Sequence, residues 1–339
     1  MKVKLTVIGA GSCGTTLAKV LSDNNKQSEI MLWDINTDNL KNINMFRENK
    51  IYLPGVKLNE NIFPEEDISI AIKNSEMILF VVPSHTMRDC VRKVQSSLDR
   101  AAKPILITAV KGLELGTNKR MSEIILDEFG SDAKQKIAVL SGPSHAEEVS
   151  RNVPTAIVCA GTDKDNIERI QRIFSTPYFR VYASYDMLGV ELGAAVKNVI
   201  AIAAGILDGL GLGDNTKAAL VTRGIKEIQR LGNALGADPE TFSGLSGIGD
   251  LIVTCYSKHS RNRFVGENIG KGKKLEEILK SMIQISEGVK TTEVVMGLAE
   301  SLNLEMPITE KVYEVLFNNK PPRTAIEELM TRKLKFEVE

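Results

Sequence analysis

The chain has 339 residues, and its 43 lysines and arginines balance 43 aspartates and glutamates, so its formal net charge is zero. This length is typical of two domains and allows a full hydrophobic core without disulfide or metal cross-links. With 43% hydrophobic and 25% charged residues, the composition excludes a disordered chain, a collagen-like chain and a disulfide scaffold. Zero net charge argues against nucleic acid or an anionic membrane as the main partner, because both select a basic surface.

The first 185 residues alternate short β-branched segments with amphipathic ones, which is typical of a parallel sheet covered by helices on both faces. The predicted strands are 3–8, 29–33, 77–82, 105–108, 137–140, 156–160 and 179–182. The predicted helices among them include 15–21, 86–98, 121–129 and 166–174. We therefore predict an α/β fold class, with an N-terminal Rossmann-type domain over 1–185 whose sheet is mostly parallel.

From residue 186 to residue 339 the strand pattern stops and the periodicity is helical. The predicted helices are 189–207, 217–235, 275–282, 291–302 and 310–317. We predict an all-α C-terminal domain, joined without a flexible linker, and a ligand site in the cleft between the two domains. The apolar stretch 192–212 contains Lys197, Asn198 and Asp208, so it is predicted to be a buried core helix rather than a membrane span.

A G-x-G-x-x-G motif, formed by Gly9, Gly11 and Gly14, directly follows a predicted strand and opens a helix. In that context the first two glycines let the backbone approach a pyrophosphate, and the third lets the helix pack against the strand. The helix N-terminus supplies N–H donors. The motif predicts a dinucleotide cofactor, and the alternative is a tight turn in a protein with another ligand.

Asp34 ends the second predicted strand, 20 residues after Gly14. A carboxylate there accepts hydrogen bonds from the adenosine ribose, whereas a 2′-phosphate needs a cation, which Ile35 and Asn36 do not offer. The local sequence therefore favours NAD over NADP. The alternative is that Asp34 only starts a turn or caps a helix.

Lys197 stands in a predicted helix that is apolar on almost every side. A lysine buried there needs a partner, and burial lowers its pKa towards the range that suits acid–base catalysis. The alternative is a structural lysine that is paired with Glu191 or Asp208, or that extends to the rim.

Two polar segments follow in the helical half. Asp250 comes after a glycine turn and precedes an apolar segment, so it can hold a substrate hydroxyl, orient Lys197 or cap a helix. The segment 260–263 contains Arg261 and Arg263, whose guanidinium groups suit a phosphoryl dianion. The alternative for that segment is a solvated basic turn.

Two further segments follow predicted strands, at the sheet edge where open α/β proteins bind ligands. Lys111 comes after strand 105–108, and Ser144 comes after strand 137–140. Ser144 with Glu147 three residues later matches a capping box, whose N–H groups can also face an anion. The histidines have no metal-ligand spacing, so no metal is predicted, and only His145 is kept as a spare acid–base candidate.

The cysteines and the N-terminus favour a cytoplasmic protein. The four cysteines are widely spaced and form no CxxC pair, so neither a zinc site nor a disulfide framework is predicted. Free thiols suit a reducing compartment. The N-terminus runs directly into an apolar strand, without the pattern of a signal peptide.

Taken in order, these segments resemble the bacterial, soluble NAD(P)-dependent glycerol-3-phosphate dehydrogenase family over almost the whole chain. The segments that carry the resemblance are VIGAGS (7–12), FVVPSH (80–85), VKGLE (110–114), LSGPS (140–144), AVKNVIA (195–201), GDL (249–251), TC (254–255), SRNR (260–263) and MPIT (306–309). The resemblance implies reversible reduction of dihydroxyacetone phosphate with NAD(P)H to sn-glycerol 3-phosphate. It also implies a cytoplasmic homodimer that supplies glycerophospholipid synthesis.

The resemblance assigns roles residue by residue, with Lys197 as the acid–base lysine, supported by Asp250 and Lys111. The implied substrate contacts are Lys111, Gly142, Ser144, Lys197, Asp250, Ser260, Arg261 and Asn262. The implied cofactor contacts beyond the glycines and Asp34 are Ser12, Cys13, Lys111, Ala146, Arg261, Ile285 and Glu287.

The chain also departs from the family pattern. Cys13 stands where the family usually has an aromatic residue, and Ile285 replaces a valine. Asp34 and its neighbours lack the family's frequent arginine or histidine, which agrees with a preference for NAD. Two other functions stay open at this point: a 3-hydroxyacid or 6-phosphogluconate-type dehydrogenase, and a nucleotide-sensing protein without turnover.

Overall fold

An eight-stranded sheet forms the N-terminal half of the computed structural model, which describes residues 3–99, 101–282, 284–334 and 336–337. The strands are β1 (Lys4–Ile8), β2 (Glu29–Trp33), β3 (Ile62–Glu65), β4 (Met77–Phe80), β5 (Ile105–Thr108), β6 (Ile137–Ser141), β7 (Thr155–Gly161) and β8 (Phe179–Ser184). Their order across the sheet is β3-β2-β1-β4-β5-β6-β7-β8. All neighbours run parallel except β6 and β7, so the predicted mostly parallel sheet is confirmed.

The sequence pattern predicted seven of these strands and missed β3. This strand has only four residues, contains Pro64 and lies at the edge of the sheet. Proline cannot donate to a neighbouring strand, so it is tolerated only where one side of the strand is unpaired. The prediction also extended β4 to residue 82, whereas the strand ends at Phe80 and the chain then turns into the ligand cleft.

Helices cover both faces of this sheet, as its apolar strands predict. They are α1 (Ser12–Asn24), α2 (Thr37–Phe46), α3 (Ile68–Ile72), α4 (Met87–Ser97), α5 (Met121–Phe129), α6 (Ala146–Val149) and α7 (Lys164–Phe174). Successive strand side chains point to opposite faces, so Val7 belongs to the core under α1 and α7 while Ile8 belongs to the core under α4 and α5. The strand ends are thereby fixed between two hydrophobic layers.

The C-terminal half is a helical bundle. Its helices are α8 (Met187–Gly209), α9 (Asp214–Leu235), α10 (Asp250–Tyr256), α11 (Arg261–Gly270), α12 (Leu275–Ser281), α13 (Glu287–Ser301), α14 (Pro307–Phe317) and α15 (Pro322–Met330). β8 ends at Ser184 and Asp186 caps α8 by accepting a hydrogen bond from the Gly189 N–H at 2.9 Å. The predicted division at 185/186 falls in this junction and stays a prediction.

The central helix, α8, packs against α9, α10, α11 and α13 and buries 19 of its 23 residues. Its length and mean hydropathy of 1.7 would suit a membrane span, but its apolar window is 100% buried inside the fold. The prediction of a buried core helix is therefore confirmed.

Glycines let α8 and α11 approach at backbone distance. A Cβ atom on Gly205 would collide with the Arg263 carbonyl oxygen, and one on Gly266 would collide with the Ile202 carbonyl oxygen. Gly266, together with Gly270 at the end of the helix, weakens the helical pattern of α11, which explains why this helix was not predicted from the sequence. The close crossing brings the first turn of α11 next to the middle of α8, where Lys197 lies.

Candidate active site

A cleft of about 570 Å³ runs along the carboxyl ends of the parallel strands and continues into the helical bundle. One end is lined by Gly9 after β1 and Asp34 after β2. The other end is lined by Lys197 of α8, Asp250 of α10 and Arg261 of α11. Residues of both halves of the chain thus line one elongated site, in the cleft where the sequence predicts it.

The glycine motif fits a dinucleotide. Gly9 has a φ of +111° and its Cβ would collide with the Val81 carbonyl oxygen, while a Cβ on Gly14 would collide with the Gly9 carbonyl oxygen. No atom lies within 4 Å of a Cβ placed on Gly11, so this residue leaves open space beside the chain. Gly11 caps α1 without a side-chain hydrogen bond, so the N–H groups of the first turn stay available to an anion.

Asp34 is fixed by the glycine loop itself. Its Oδ2 accepts a hydrogen bond from the Ala10 N–H at 2.5 Å, and its Oδ1 accepts one from the Asn36 N–H at 2.8 Å. The cap of α2 is Asn36, so the alternative that Asp34 caps this helix is wrong. Because Asp34 lines the cleft beside the glycine loop, it lies where an adenosine ribose is expected.

Asp250 bridges two lysines at the other end of the cleft. The Lys197 Nζ donates to Asp250 Oδ1 at 2.5 Å and to Thr254 Oγ1 at 2.6 Å. The Lys111 Nζ donates to Asp250 Oδ2 at 2.7 Å and to the Gly142 carbonyl at 2.9 Å. Two cations around one carboxylate leave a local excess of positive charge, which suits an anionic substrate.

Burial and these neighbours set the charge states. Lys197 is 4% exposed and Asp250 is 1% exposed. Burial lowers the pKa of Lys197 to about 8, with Lys111 lowering it further and Asp250 raising it. The two lysines, against the opposing effect of burial, hold the pKa of Asp250 below its usual value. Lys197 is therefore a buried ammonium that can release its proton near neutral pH.

The structural partners proposed for Lys197 are wrong. Glu191 instead accepts hydrogen bonds from the Ser122 backbone and hydroxyl and from Arg120 at 2.6–2.8 Å. Asp208 instead pairs with Lys217 and Arg263. Lys197 is thus held by a residue that itself faces the cleft.

The two arginines of the segment 260–263 point in different directions, Arg261 into the cleft and Arg263 towards Asp208. Ser260 caps α11, accepting from the Arg263 N–H at 3.2 Å, and Asn262 donates to Asn198 Oδ1 at 2.8 Å. Arg261 is exposed, lines the cleft and donates to the Ile285 carbonyl at 3.2 Å. Arg263 turns away to Asp208 at 2.6 Å, so the expectation that both arginines face one dianion is wrong.

The segment after β6 is not a capping box. The Ser144 Oγ donates to the Gly142 carbonyl at 3.1 Å. The helix α6 begins at Ala146, and its N-cap residue, His145, makes no side-chain capping hydrogen bond. Gly142 has a φ of +140° and a Cβ there would press on Ile157, so this turn requires glycine. Ser144 and Ala146 line the cleft close to Lys111.

His145 is a partly buried wall residue. Its Nε2 is shielded from solvent and has no hydrogen-bond partner among the described residues, and its ring lies 6.0 Å from that of His259. Burial, together with Lys197 and Lys111, lowers the pKa of His145 to about 4. It is therefore neutral at physiological pH, so it is not a cationic partner for an anion there.

The remaining predicted cofactor contacts lie on the cleft wall, which includes Ser12, Cys13, Ala146, Ile285 and Glu287. Glu287 begins α13 and accepts hydrogen bonds from the Ser84 N–H at 3.0 Å and from its hydroxyl at 2.5 Å. This contact joins the bundle to the loop after β4. No cluster of metal-ligating side chains is found within the described ranges.

Three residues that line the cleft, Lys93, Asn198 and Thr254, have no role predicted from the sequence. Thr254 lies four residues after Asp250 and would have been found from the 3.6-residue period had α10 been predicted. Lys93 is brought to the rim by α4, and nothing in the local sequence indicates that position.

Two family models together match most of the chain. The N-terminal model of NAD-dependent glycerol-3-phosphate dehydrogenase matches residues 4–167, and the C-terminal model matches residues 186–327. A glycerol-3-phosphate dehydrogenase (NAD(P)+) from Pediococcus pentosaceus is 47% identical over 340 residues, covering 100% of both chains. One from Geobacillus kaustophilus is 49% identical over 337 residues, covering 99% of this chain and 96% of the relative.

A crystal structure has the same fold. The glycerol-3-phosphate dehydrogenase of Coxiella burnetii superimposes with a TM-score of 0.92 at 36% identity, covering 98% of this chain and 99% of that one. The similarity therefore extends through the sheet, the bundle and the cleft between them.

Proposed function

This chain belongs to the NAD-dependent glycerol-3-phosphate dehydrogenase family, and from that premise we propose how its cleft interconverts dihydroxyacetone phosphate and sn-glycerol 3-phosphate. The chain is an oxidoreductase that uses NAD or NADP. The observation that carries the proposal is Lys197, a buried lysine that lies against Asp250 in the same cleft as the glycine motif. Because the chain belongs to this family, the two alternative functions left open by the sequence, a 3-hydroxyacid or 6-phosphogluconate-type dehydrogenase and a nucleotide-sensing protein, are no longer supported.

The residues present fit a bound dinucleotide. Gly9, Gly11 and the first turn of α1 would hold the pyrophosphate, and Asp34 would accept hydrogen bonds from the adenosine ribose. Ser12, Cys13, Ala146, Ile285 and Glu287 are further proposed contacts along the wall. When bound, NAD(P)H supplies the hydride for reduction of the ketone.

Lys197 supplies the proton. As charge develops on the ketone oxygen, the Lys197 ammonium stabilises the nascent alkoxide and then transfers a proton to it. Asp250 holds this ammonium in position at 2.5 Å, and Thr254 Oγ1 accepts a second of its N–H groups at 2.6 Å. The third N–H of Lys197 is the one we assign to the substrate oxygen.

Arg261 is the proposed anchor for the phosphate. Its guanidinium is exposed at the cleft wall, and among the described residues only the Ile285 carbonyl accepts a hydrogen bond from one of its five N–H donors. Ser260 and Asn262 fix the first turn of α11 from which Arg261 projects. Lys111, Gly142 and Ser144 complete the proposed substrate contacts, and the binding energy of the phosphate helps to position the ketone.

The rate should depend on pH in opposite ways in the two directions. Reduction needs the Lys197 ammonium, so kcat/KM for dihydroxyacetone phosphate should fall as pH rises through about 8. Oxidation needs the neutral amine, so kcat/KM for glycerol 3-phosphate should rise over the same interval. Initial rates in both directions across the pH range measure this. Profiles that change in the same sense would contradict Lys197 as the shared acid and base.

The direct test is oxidation of NADH and NADPH with dihydroxyacetone phosphate, followed by the loss of coenzyme absorbance. We expect turnover with both coenzymes and a higher kcat/KM with NADH, because Asp34 suits a ribose hydroxyl. A carboxylate-bearing keto acid serves as the control substrate and should give no turnover. Absence of turnover with the triose phosphate, despite coenzyme binding, would overturn the proposed reaction.

We also propose that the protein works as a cytoplasmic homodimer without stable membrane insertion. The support is the resemblance to the family together with four free thiols, Cys13, Cys90, Cys159 and Cys255. Light scattering at several protein concentrations tests the dimer, and cell fractionation tests the compartment.

A further inference from the structure

One cation at the coenzyme end of the cleft is unaccounted for by the proposed function. Lys93 lies on α4, and its Nζ is 4.9 Å from the centroid of the Trp33 ring. Trp33 ends β2 immediately before Asp34. Lys93 is exposed, and its ammonium makes no hydrogen bond or ion pair with another described residue, so this group is available to a ligand.

Lys93 is alone at this end of the cleft. The other lysines and arginines among the described lining residues are Lys111, Lys197 and Arg261. These three belong to the Asp250 cluster or to the first turn of α11, at the bundle end. A phosphate group on the adenosine ribose would therefore find one cation within its surroundings, and that cation comes from α4.

The same end carries two carboxylates. Asp34 and Asp89 both line the cleft beside Lys93, and Asp67 is a third carboxylate within electrostatic range of the lysine. A 2′-phosphate placed there would be repelled by Asp34, because like charges a few ångströms apart disfavour one another even near a protein surface.

Asp34 cannot readily turn away from such a phosphate. Each of its carboxylate oxygens already accepts a main-chain N–H, from Ala10 at 2.5 Å and from Asn36 at 2.8 Å. The negative charge is thereby fixed to the glycine loop. Acceptance of a 2′-phosphate at this site then requires a compensating cation that can move, and a lysine on a flexible four-carbon chain meets that need.

We propose that Lys93 is the residue that binds the 2′-phosphate of NADP(H). It would thereby determine how well this site, which carries Asp34, binds NADP(H) as well as NAD(H). The proposal rests on the proposed function, because it assumes that the coenzyme adenosine lies at this end of the cleft. Trp33 gives the lysine a surface to rest on when NAD(H) is bound, since an ammonium is attracted to the face of an indole ring.

The test compares Lys93→Gln with Arg92→Gln and measures coenzyme binding without substrate. Arg92 is the neighbouring cation on α4, but it pairs with Glu128 at 3.1 Å and does not line the cleft. Trp33 is the single tryptophan of the chain, so quenching of its fluorescence reports binding at this site, with calorimetry as a second readout. Lys93→Arg tests whether a different cation at the same position keeps the affinity for NADPH.

In Lys93→Gln, we expect the Kd for NADPH to rise about 5- to 10-fold and that for NADH to stay within about twofold. Arg92→Gln and Lys93→Arg should bind both coenzymes like the unmodified protein. The Kd for NADPH should also depend less on salt in Lys93→Gln, because one ion pair with the phosphate is lost.

Two results would overturn the proposal. Equal weakening of both coenzymes would mean that Lys93 only supports Trp33 or the fold, and no change in either would mean that it does not touch the ligand. If the unmodified protein bound neither coenzyme, the proposed function itself would fail and this inference with it. If both coenzymes bound to the unmodified protein, but Lys93→Gln left the ratio of the Kd for NADPH to the Kd for NADH unchanged, the proposed function would stand and the proposed role of Lys93 would fail.

Discussion

Replacement of Lys197 by alanine should lower kcat for ketone reduction by about three orders of magnitude or more, while the Kd for NADH changes by less than about twofold. The alanine removes both the proton donor and the positive charge beside the developing alkoxide. Lys197 lies at the bundle end of the cleft, whereas the glycine motif lies at the other end, so coenzyme binding should survive. Steady-state kinetics and fluorescence titration measure the two effects separately.

The variant should fold, because the structure leaves Asp250 a second cation. Without Lys197, Asp250 still accepts from Lys111 at 2.7 Å, so no buried carboxylate is left unpaired. The matched control is Lys226→Ala, an exposed lysine on the neighbouring helix α9, which should keep full activity. A melting temperature close to that of the control would show that the lost activity does not come from unfolding.

Small amines provide a stricter version of this test. The cavity left by the lysine side chain opens onto the cleft, so a primary alkylamine can occupy the position of Nζ and donate a proton there. We expect the amine to restore part of kcat in Lys197→Ala and to leave Lys226→Ala unchanged. Near-normal kcat in Lys197→Ala without any amine would remove Lys197 from the mechanism.

The sheet and the glycine motif could be predicted because their signals are local. Each apolar strand and the first glycine turn lie within a few consecutive residues, and seven strands were found in this way. β3 was missed because a short edge strand that contains Pro64 carries no apolar pattern. Lys197 was found for a similar local reason, since a lysine in an apolar helix stands out in the sequence.

The partners of the site residues depend on tertiary packing, and their sequence signals are weak. Lys197 pairs with Asp250, 53 residues away, rather than with the nearer Glu191 or Asp208. This pairing depends on the packing of α8 against α10, a helix of only seven residues that was not predicted from the sequence. Arg263 looked equivalent to Arg261 in the sequence, but two positions along a helix point in different directions, and only Arg261 faces the cleft.

Replacement of Asp250 by asparagine should lower kcat for reduction by about two orders of magnitude near pH 7 and shift its pH dependence to lower pH. Asp250 raises the pKa of Lys197, whereas burial and Lys111 lower it. Without the carboxylate only the two lowering influences remain, so the pKa of Lys197 should fall below about 8. At neutral pH less of the ammonium then survives to donate a proton.

The pH profile of kcat/KM for dihydroxyacetone phosphate separates this effect from a general structural loss. In Asp250→Asn the activity should recover partly as pH falls, because protonation restores the ammonium. A structural defect would instead reduce the rate by the same factor at every pH. Asp132→Asn, an exposed aspartate in the sheet domain, is the control and should keep the unmodified profile.

Lys111→Gln should move the same profile in the opposite direction, although it too lowers the rate. Lys111 is the cation that lowers the pKa of Lys197, so its removal leaves Asp250 to stabilise one ammonium instead of two. The pH at which reduction is half-maximal should then rise above about 8. Opposite shifts in Asp250→Asn and Lys111→Gln would establish that the bridged cluster sets the proton affinity of Lys197, because a loss of packing alone gives no reason for the two variants to differ in sign. Shifts in the same direction would contradict this account of the cluster.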